Sequence, residues 1–453
     1  MSKIHAKQML GPDGWVEEQT IDIGKDGRIA HVGPANGGDR IDLVLPAPVN
    51  LHSHTFQRAM SGLTEARGPD PSDSFWTWRA LMYRFLEQLT PEDIEAIAAQ
   101  AFMEMVETGF AAVAEFHYLH HGPDGQTYDQ IDELSQRICV AAQAAGIGLT
   151  HLPVLYQYGG CDGRALEGGQ LRFGNTTGSY YKIYDAARAM VSNGPADWNI
   201  GTAPHSLRAV NFDGLRAAEE IADKGPMHLH VAEQIAEVEE IKAHLGARPV
   251  EWLLAEQDVD ARWCLIHCTQ MTQKETIDLA KSGAVAGLCP ITESSLGDGI
   301  FNGVEYTAAD GRFGVGSDSN IHISLWEELK TFEYSQRLRD GSRAAMAETQ
   351  RSTGRVLYEK ALAGGAQAAQ RHSGAIAVGQ CADLIGISTD NEWICGRKGD
   401  LVLDSLIFSG RGESAVTDVW SAGRHVVREG RHIARDRIQP EFMRSMRRLE
   451  QVL

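Results

Sequence analysis

Two pairs of histidines in this sequence have a spacing that suits metal ligands. His52 and His54 lie two residues apart in VNLHSH, and His228 and His230 repeat that spacing in MHLHVAEQ. In a β-strand, residues i and i+2 point to the same face, so each pair could direct two imidazoles at one place. Neutral imidazole is a frequent ligand of zinc and related ions. A single H-x-H pair is a weak indication, because two polar histidines on a loop have the same pattern.

Three more polar side chains follow apolar runs in the same way. Glu233 lies three residues after His230, His267 is near the end of RWCLIHC, and Asp318 lies in FGVGSDS. A carboxylate that is close to a metal ion without binding it can carry protons, and Glu233 has the position for that role. A solvated carboxylate at a helix start is the alternative for Glu233. We expect these residues to form one metal site, with His228 packed behind it.

Alternating strands and helices would bring these residues together. Eight short apolar runs, each followed by polar residues and a helical stretch, occupy the middle of the chain. Their predicted ends are His54, Tyr118, Tyr156, Leu207, Gln234, Cys268, Thr292 and Ser319. The alternation predicts an α/β fold, a TIM-type (β/α)8 barrel, in which the carboxyl ends of the strands share one mouth. A doubly wound open sheet is the alternative.

Both ends of the chain have shorter β-rich runs joined by glycine-containing turns. Three runs near the C-terminus are predicted as strands, namely GAIAVGQCADLIGIS, LVLDSLIFS and AVTDVWSAGRHVVREGRH. Similar runs lie near the N-terminus. We expect residues 1–46 and 374–436 to form a small β-sandwich domain built from both termini. Residues 47–373 would form the metal-dependent catalytic barrel, and residues 437–453 a C-terminal helix.

Composition limits the classes of partner. A formal net charge of −19 repels nucleic-acid phosphates and anionic lipids, so we expect a small-molecule substrate and no nucleic-acid or membrane partner. No apolar stretch reaches the roughly 20 residues of a membrane span, and the first residues lack a signal-peptide pattern, which predicts a cytoplasmic protein. The seven cysteines include no C-x-x-C pair, which argues against disulfides or a thiolate zinc site. The sequence leaves open whether the protein forms a homodimer.

The arrangement of these motifs resembles the amidohydrolase superfamily. Its members carry H-x-H on the first strand, one histidine on each of the fifth and sixth strands, and an aspartate on the eighth. GAIAVGQCADLIGI and VWSAGRHVVREG are similar to the closing segments of that family, whereas Pro46-Ala47-Pro48 replaces its usual proline-glycine. The resemblance covers nearly the whole chain. It implies a hydrolase whose metal ligands are His52, His54, His230 and Asp318.

The number of metal ions and their role follow from the same resemblance. Members that bind two metal ions need a lysine or glutamate on an earlier strand to bridge them. The third and fourth strands here, THLPVLY and TAPHSL, offer neither, so one divalent ion is expected. The H-x-x-E arrangement that ends at Glu233 is similar to the deaminase branch, in which zinc is typical and the glutamate carries protons to a leaving nitrogen. The resemblance therefore implies zinc as the cofactor, with Glu233, His267 and Asp318 as catalytic residues.

Five local phrases are similar to one family of this branch, the formiminoglutamate deiminases. These phrases are HSHTFQRAM, DSFWTWRALMYR, AEFHYLHH, HSLRAV and LGDGIF. The resemblance implies zinc-dependent hydrolysis of N-formimino-L-glutamate to N-formyl-L-glutamate and ammonia, a reaction of histidine degradation. The implied substrate contacts are Gln57, Arg79, Tyr118, His205 and Arg208.

The charge of that substrate agrees with two of these contacts. Its two carboxylates need local cations in an acidic protein, and Arg79 and Arg208 could supply bidentate partners. A surface charge on a helix is the alternative for Arg79. The chain departs from the family after the metal aspartate, where Asn320 replaces the usual histidine and His322 follows; their roles are open.

Two other functions stay open at this stage. One is deamination of a ring, such as guanine, another nucleobase or an S-adenosylhomocysteine-like nucleoside, on the same scaffold. The other is a catalytically silent zinc-binding scaffold.

Overall fold

Four strands joined by glycine-containing turns begin the chain. The computed structural model describes residues 2–63, 65 and 75–452, the side chains of residues 75–80 excepted. The strands are β1 (Ser2–Gly11), β2 (Gly14–Ile23), β3 (Ile29–Pro34) and β4 (Asp39–Pro46). β1 pairs antiparallel with β2 and parallel with β4.

Eight strand positions with parallel pairing form the barrel that the sequence predicts. They are β5 (Val49–Ser53), β6 (Ala112–His117), β7 (Gly148–Leu155), a fourth position split into β8 (Asn199–Ile200) and β9 (Ala203–Pro204), β10 (Met227–Val231), β11 (Trp263–His267), β12 (Val285–Leu288) and β13 (Arg312–Val315). The bridge between Thr202 and Met227 joins the fourth and fifth positions, and the bridge between Ser53 and Asp318 joins the eighth to the first. These two bridges close the sheet, so the open-sheet alternative is wrong.

Helices follow the barrel strands and cover the outside of the sheet. They are α1 (Phe75–Leu86), α2 (Pro91–Thr108), α3 (Glu133–Ala145), α4 (Thr177–Ser192), α5 (Phe212–Ala222), α6 (Ile235–Leu245), α7 (Pro249–Glu256), α8 (Gln273–Ser282), α9 (Pro290–Leu296), α10 (Gly303–Ala308), α11 (Leu325–Asp340) and α12 (Thr353–Ala368). Polar side chains cap the N-termini of several of these helices. Thr90 and Asp93 form a capping box at α2, and Thr272 and Glu275 form another at α8.

The C-terminal segment returns to the first sheet. It contains β14 (Leu384–Ile387), α13 (Asp400–Phe408), β15 (Val416–Ser421), β16 (Arg424–Arg428), β17 (Arg431–His432) and α14 (Arg435–Glu450). β14 pairs with β4, which makes one sheet in the order β17-β16-β15-β14-β4-β1-β2-β3.

The terminal sheet folds over on itself. Arg28, just before β3, forms an antiparallel bridge with Cys381, just before β14, so the two halves of the sheet meet. The buried cluster between them includes Ile21, Ile29, Val44, Leu384 and Trp420. This cluster is the core of the β-sandwich that both termini build, as the sequence predicts.

Three strand predictions need correction. LVLDSLIFS forms the helix α13, because its buried residues, Val402, Leu403, Leu406 and Ile407, recur with the period of a helix and not of a strand. LVLPAPVNLHSH is not one strand, since its first part belongs to β4 and its last part to β5. AVAGLCPIT ends as a strand at Leu288, and Pro290 occupies the first turn of α9, where its missing N–H costs nothing.

Across the described part of the chain, no helix combines the length and the apolar character that crossing a bilayer requires.

Candidate metal centre and active site

Three imidazoles and one carboxylate meet at the carboxyl end of the barrel strands. His52 and His54 lie at the end of β5, His230 lies in β10, and Asp318 follows β13. His52 Nε2 lies 3.1 Å from His230 Nε2 and 3.4 Å from Asp318 Oδ1, and His54 Nε2 lies 3.2 Å from the same oxygen. All four ligand atoms lie within 4.8 Å of one another. The structure thus brings together the four residues that the sequence predicts as ligands.

Hydrogen bonds fix the tautomer of two of these histidines. His54 Nδ1 lies 2.9 Å from the carbonyl oxygen of Phe116, and His230 Nδ1 lies 3.0 Å from that of His205. A carbonyl only accepts, so each Nδ1 donates its hydrogen and each Nε2 keeps a lone pair. The His54 lone pair therefore faces a carboxylate oxygen of Asp318, which is repulsive unless a cation lies between them. The donor set fits a divalent metal ion on this ground.

Burial keeps the same imidazoles neutral. Desolvation holds the pKa of His52 and of His230 well below the usual value, and it also lowers the pKa of His54. Metal ligation requires neutral histidine, so these side chains are ready to bind an ion without first losing a proton.

Glu233 and His267 lie beside this cluster. Glu233 Oε1 is 3.8 Å from His267 Nε2, and Asp318 Oδ2 is 3.9 Å from the same nitrogen. Burial raises the pKa of Glu233, so this carboxyl holds a proton more tightly than an exposed one. Burial works to lower the pKa of His267, but the charges of Glu233, Glu293 and Asp318 outweigh it and raise that pKa to about 10.

Glu293 is a neighbour of the site that the sequence analysis missed. Its Oε1 accepts a hydrogen bond from the backbone N–H of Cys289 (2.9 Å) and lies 3.3 Å from His267 Nδ1. This contact turns Nε2 of His267 toward Glu233 and Asp318. A carboxylate just after the seventh barrel strand, in CPITESS, was the available sequence signal.

Unusual backbone geometry accompanies these side chains. The φ angles of Ala232, His267 and Asp318 are 53°, 72° and 43°, in the left-handed region. Each such residue costs on the order of 1–3 kcal/mol and persists only where the surroundings impose it. At Asp318 the surroundings are clear, because its N–H donates to the carbonyl of His52 and its carbonyl accepts from the N–H of His54, both at 2.9 Å.

A cavity opens to solvent beside the cluster. Four of the five predicted substrate contacts line it, namely Gln57, Tyr118, His205 and Arg208. Gln57 Nε2 donates to Tyr118 Oη at 2.7 Å. The side chain of Arg79 lies outside the described residues. Residues that the sequence analysis did not assign to the cavity also line it, including Met82, Tyr83, Tyr156, Phe173, Thr292, Leu296 and Ser319.

Arg208 is the arginine of this cavity among the described residues. Burial works against its charge, but the carboxylates of Glu237 and Glu233 raise its pKa, so the guanidinium stays protonated. Its Nε has no hydrogen-bond partner in the described part of the chain. An anionic group in the cavity could therefore take up that donor.

Three further polar residues from the sequence analysis lie outside the cavity. His228 Nε2 lies 2.8 Å from the carbonyl of Ala368, behind the strand, which agrees with a packing role. Asn320 is buried, and its Nδ2 donates to Ser53 Oγ and to the carbonyl of Asp318. His322 is exposed. Neither Asn320 nor His322 lines the cavity.

Comparisons with known proteins match nearly the whole chain. Residues 43–426 match the amidohydrolase family. The formimidoylglutamate deiminase of Pseudomonas aeruginosa is 46% identical over 98% of this chain and 99% of that protein. A 5-methylthioadenosine/S-adenosylhomocysteine deaminase of Haloarcula marismortui is 27% identical over 96% of this chain and 93% of that protein. The crystal structure of an amidohydrolase from Brucella melitensis has a TM-score of 0.94 and 44% identity, and it covers 99% of this chain and 100% of that one.

Proposed function

The chain belongs to the amidohydrolase family, and from that premise we propose that it hydrolyses N-formimino-L-glutamate to N-formyl-L-glutamate and ammonia, in histidine degradation. The observation that carries this proposal is the 46% identity to the Pseudomonas aeruginosa formimidoylglutamate deiminase over 98% of this chain and 99% of that protein. The cavity beside the histidine cluster supports it, because Gln57, His205 and Arg208 line it and offer polar contacts to an acyclic, charged substrate. The free and mostly buried cysteines suit a reducing compartment, so we place the enzyme in the cytoplasm.

The cofactor in this proposal is one zinc ion held by His52, His54, His230 and Asp318. Three nitrogens and one oxygen suit zinc better than calcium or magnesium, which prefer all-oxygen sites. When bound, zinc would supply a water nucleophile at neutral pH, because it lowers the pKa of water from about 15.7 to about 7.

Glu233 is the proton carrier of the proposed reaction. Burial raises its pKa, so the carboxyl holds a proton more tightly than an exposed glutamate does, and it lies on the wall of the cavity. The nucleophile attacks the formimino carbon, and Glu233 can pass the two protons of the attacking water, one after the other, to the terminal nitrogen. The bond between the carbon and that nitrogen then breaks, and the nitrogen leaves as ammonia. Cationic His267 faces Glu233 and Asp318 and can stabilise negative charge that develops on the substrate during attack. Asp318 would accept a hydrogen bond from the nucleophile and so orient it.

Arg208 anchors a carboxylate of the substrate in this proposal. The pair of Gln57 and Tyr118 and the ring of His205 line the same cavity and would complete the shell. Arg79 would bind the second carboxylate. The anchor places the formimino end toward Glu233, so that the terminal nitrogen leaves and the glutamate nitrogen stays.

Replacement of Arg208 tests the dicarboxylate assignment. Arg208→Met should raise KM for N-formimino-L-glutamate by about tenfold to a hundredfold, since a charge-assisted hydrogen bond contributes roughly 1.5–3 kcal/mol. The same variant should leave the kinetics of formamidine, which has no carboxylate, much less affected. Equal losses on both substrates, measured by ammonia release, would remove Arg208 from the carboxylate site.

One observation favours a ring-deaminating enzyme as the second candidate. Tyr83, Tyr118, Tyr156 and Phe173 give the cavity an aromatic wall, on which a purine could stack. The Haloarcula marismortui relative is named as a deaminase of such a nucleoside.

A substrate panel separates the candidates. The purified enzyme is assayed for ammonia release from N-formimino-L-glutamate, guanine and S-adenosylhomocysteine, each with and without a chelator. We expect chelator-sensitive release from N-formimino-L-glutamate alone. Preference for either ring substrate would establish the second candidate, and no release from any of them would indicate a silent scaffold.

A further inference from the structure

A second group of ligand-type side chains lies next to the candidate metal centre. His267, Cys289 and Asp318 bring a ring nitrogen, a sulfur and a carboxylate oxygen within 4.8 Å of one another, and all three residues are buried. They lie at the carboxyl ends of three consecutive barrel strands, β11, β12 and β13. The mechanism proposed above uses His267 and Asp318 but not the thiol of Cys289.

The carboxylate of Asp318 is divided between the two groups. Its Oδ1 faces His52 and His54, at 3.4 and 3.2 Å, whereas its Oδ2 faces His267 Nε2 at 3.9 Å. Two ligand atoms that bind one ion at roughly 2.0–2.3 Å lie about 3–4 Å apart, so both separations suit a shared cation. One carboxylate can therefore serve an ion on each side.

The surroundings of the second group are negatively charged. Glu233 Oε1 lies 3.8 Å from His267 Nε2, and Glu293 Oε1 lies 3.3 Å from His267 Nδ1. With Asp318, three buried carboxylates face a single imidazole. These carboxylates attract a cation to this place, in addition to the ion that Asp318 would share with the first cluster.

We propose that His267, Cys289 and Asp318 form a second, inhibitory site for a thiophilic divalent cation such as Zn²⁺ or Cd²⁺. A sulfur ligand favours these ions over Mg²⁺, Ca²⁺ and Mn²⁺, which prefer oxygen. On binding, the thiol of Cys289 and the charged imidazole of His267 each release a proton to solvent and donate a lone pair to the ion.

Inhibition is the consequence that rests on the proposed function. An ion in this place would engage His267 and Asp318, and neither could then act on the substrate. Excess zinc or cadmium should stop turnover while the first ion stays in place.

A cadmium titration tests the site directly. The enzyme is loaded with one equivalent of Cd²⁺ and then titrated with more, while bound cadmium is counted by equilibrium dialysis and the thiolate-to-cadmium absorption in the ultraviolet is recorded. The first cluster has no sulfur ligand, so the absorption should appear only with the second equivalent. Ammonia release should fall in parallel with that absorption.

Three variants locate the binding. Cys289→Ser and Cys289→Ala should bind one equivalent, show no such absorption and need about 10- to 100-fold more cadmium for inhibition. Two replacements are used so that a folding defect in one does not leave the question open. Cys264→Ser, at another buried cysteine of the barrel, should keep the second equivalent and its absorption.

The outcomes separate this site from the proposed function. Absence of a second equivalent in the wild type, or survival of the absorption in both Cys289 variants, would overturn the site whatever the enzyme's activity. A second equivalent that shows the absorption in an enzyme that releases no ammonia from N-formimino-L-glutamate would support the site and reject the proposed function.

Discussion

Burial sets the protonation of the side chains at the candidate centre. Desolvation keeps His52 and His230 neutral and ready to bind a cation, while it makes Glu233 hold a proton more tightly. His267 has the opposite behaviour, because the carboxylates around it keep the imidazole charged. Neighbouring residues thus differ in charge for reasons that depend on their surroundings and not on their residue type.

Glu233→Gln tests the proposed proton carrier. The amide has nearly the same shape but cannot carry a proton, so kcat should fall by about 10²- to 10⁴-fold while fold and metal content are unchanged. Ammonia release, metal analysis and thermal unfolding measure the three properties. Glu239→Gln, at an exposed carboxylate of α6, is the matched control and should leave kcat unaltered. A near wild-type rate for Glu233→Gln would exclude the proposed role.

Glu115 gives a prediction about pH. It lies in β6 next to β5, and its Oε1 accepts from Thr55 N–H (2.8 Å) and Thr55 Oγ1 (2.7 Å). Burial raises its pKa from 4.5 to about 7. Between these values the folded protein binds a proton that the unfolded chain has lost, so this residue makes stability fall as pH rises through that window.

Glu115→Gln should remove that dependence. Relative to the variant, the wild type should lose on the order of 1–3 kcal/mol of unfolding free energy between pH 5 and pH 8. Denaturant titrations at the two pH values measure the difference. Parallel pH profiles of the two proteins would contradict the assignment.

Secondary-structure elements place the site by ending at the same edge of the barrel. β5 brings His52 and His54 to that edge, β10 brings His230, and β11 brings His267. The eighth position depends on close packing of α12 against β13, where the backbone at Gly364 approaches the carbonyl of Phe313. Asp318 follows β13 directly, so this contact supports the strand that carries it.

Gly364→Ala tests the close approach. A Cβ at this position would overlap the Phe313 carbonyl, so we expect a loss of about 1–3 kcal/mol in unfolding free energy. Gly178→Ala in α4 is the control, because its added Cβ would make only an ordinary van der Waals contact, with the Thr176 side chain. This variant should gain roughly 0.5–1 kcal/mol of unfolding free energy. Urea denaturation compares the two variants. Equal stability of the two would mean that the helix can shift without cost.

At the scale of the whole molecule, buried ion pairs connect the barrel to the terminal sheet. Arg371, just after α12, binds Asp383 before β14 at 2.7 and 2.9 Å and Asp197 before β8 at 3.0 Å. Arg424 of β16 binds the same Asp197 at 2.6 and 2.8 Å. The division into residues 1–46 with 374–436, 47–373 and 437–453 stays a prediction, but these contacts tie the proposed units together.

Arg371→Met measures that connection. The variant leaves the buried carboxylate of Asp383 without its cationic partner, whereas Asp197 keeps Arg424, and the loss of unfolding free energy should be about 3–5 kcal/mol. Arg431→Met breaks an exposed pair with Asp436 and should cost less than about 1 kcal/mol. Calorimetric unfolding compares both variants with the wild type. A small effect at Arg371 would show that the β-sandwich and barrel do not depend on this network.

The sequence by itself determined the features that local spacing encodes. Eight apolar runs separated by helices predicted the barrel, and the H-x-H, H-x-x-E and aspartate positions predicted which side chains gather at its mouth, because strand period and strand ends are local properties. The short apolar run LVLDSLIFS could form a strand or a helix on its local pattern alone. Packing in the tertiary structure selected the helix α13.

Only the tertiary structure decided the contacts between distant segments. The approach of Glu293 to His267, the aromatic wall of the cavity, and the two directions in which Asp318 points all depend on how separate strands align around the barrel. Side chains this far apart in sequence meet through the register and packing of whole elements, and no local spacing contains that information.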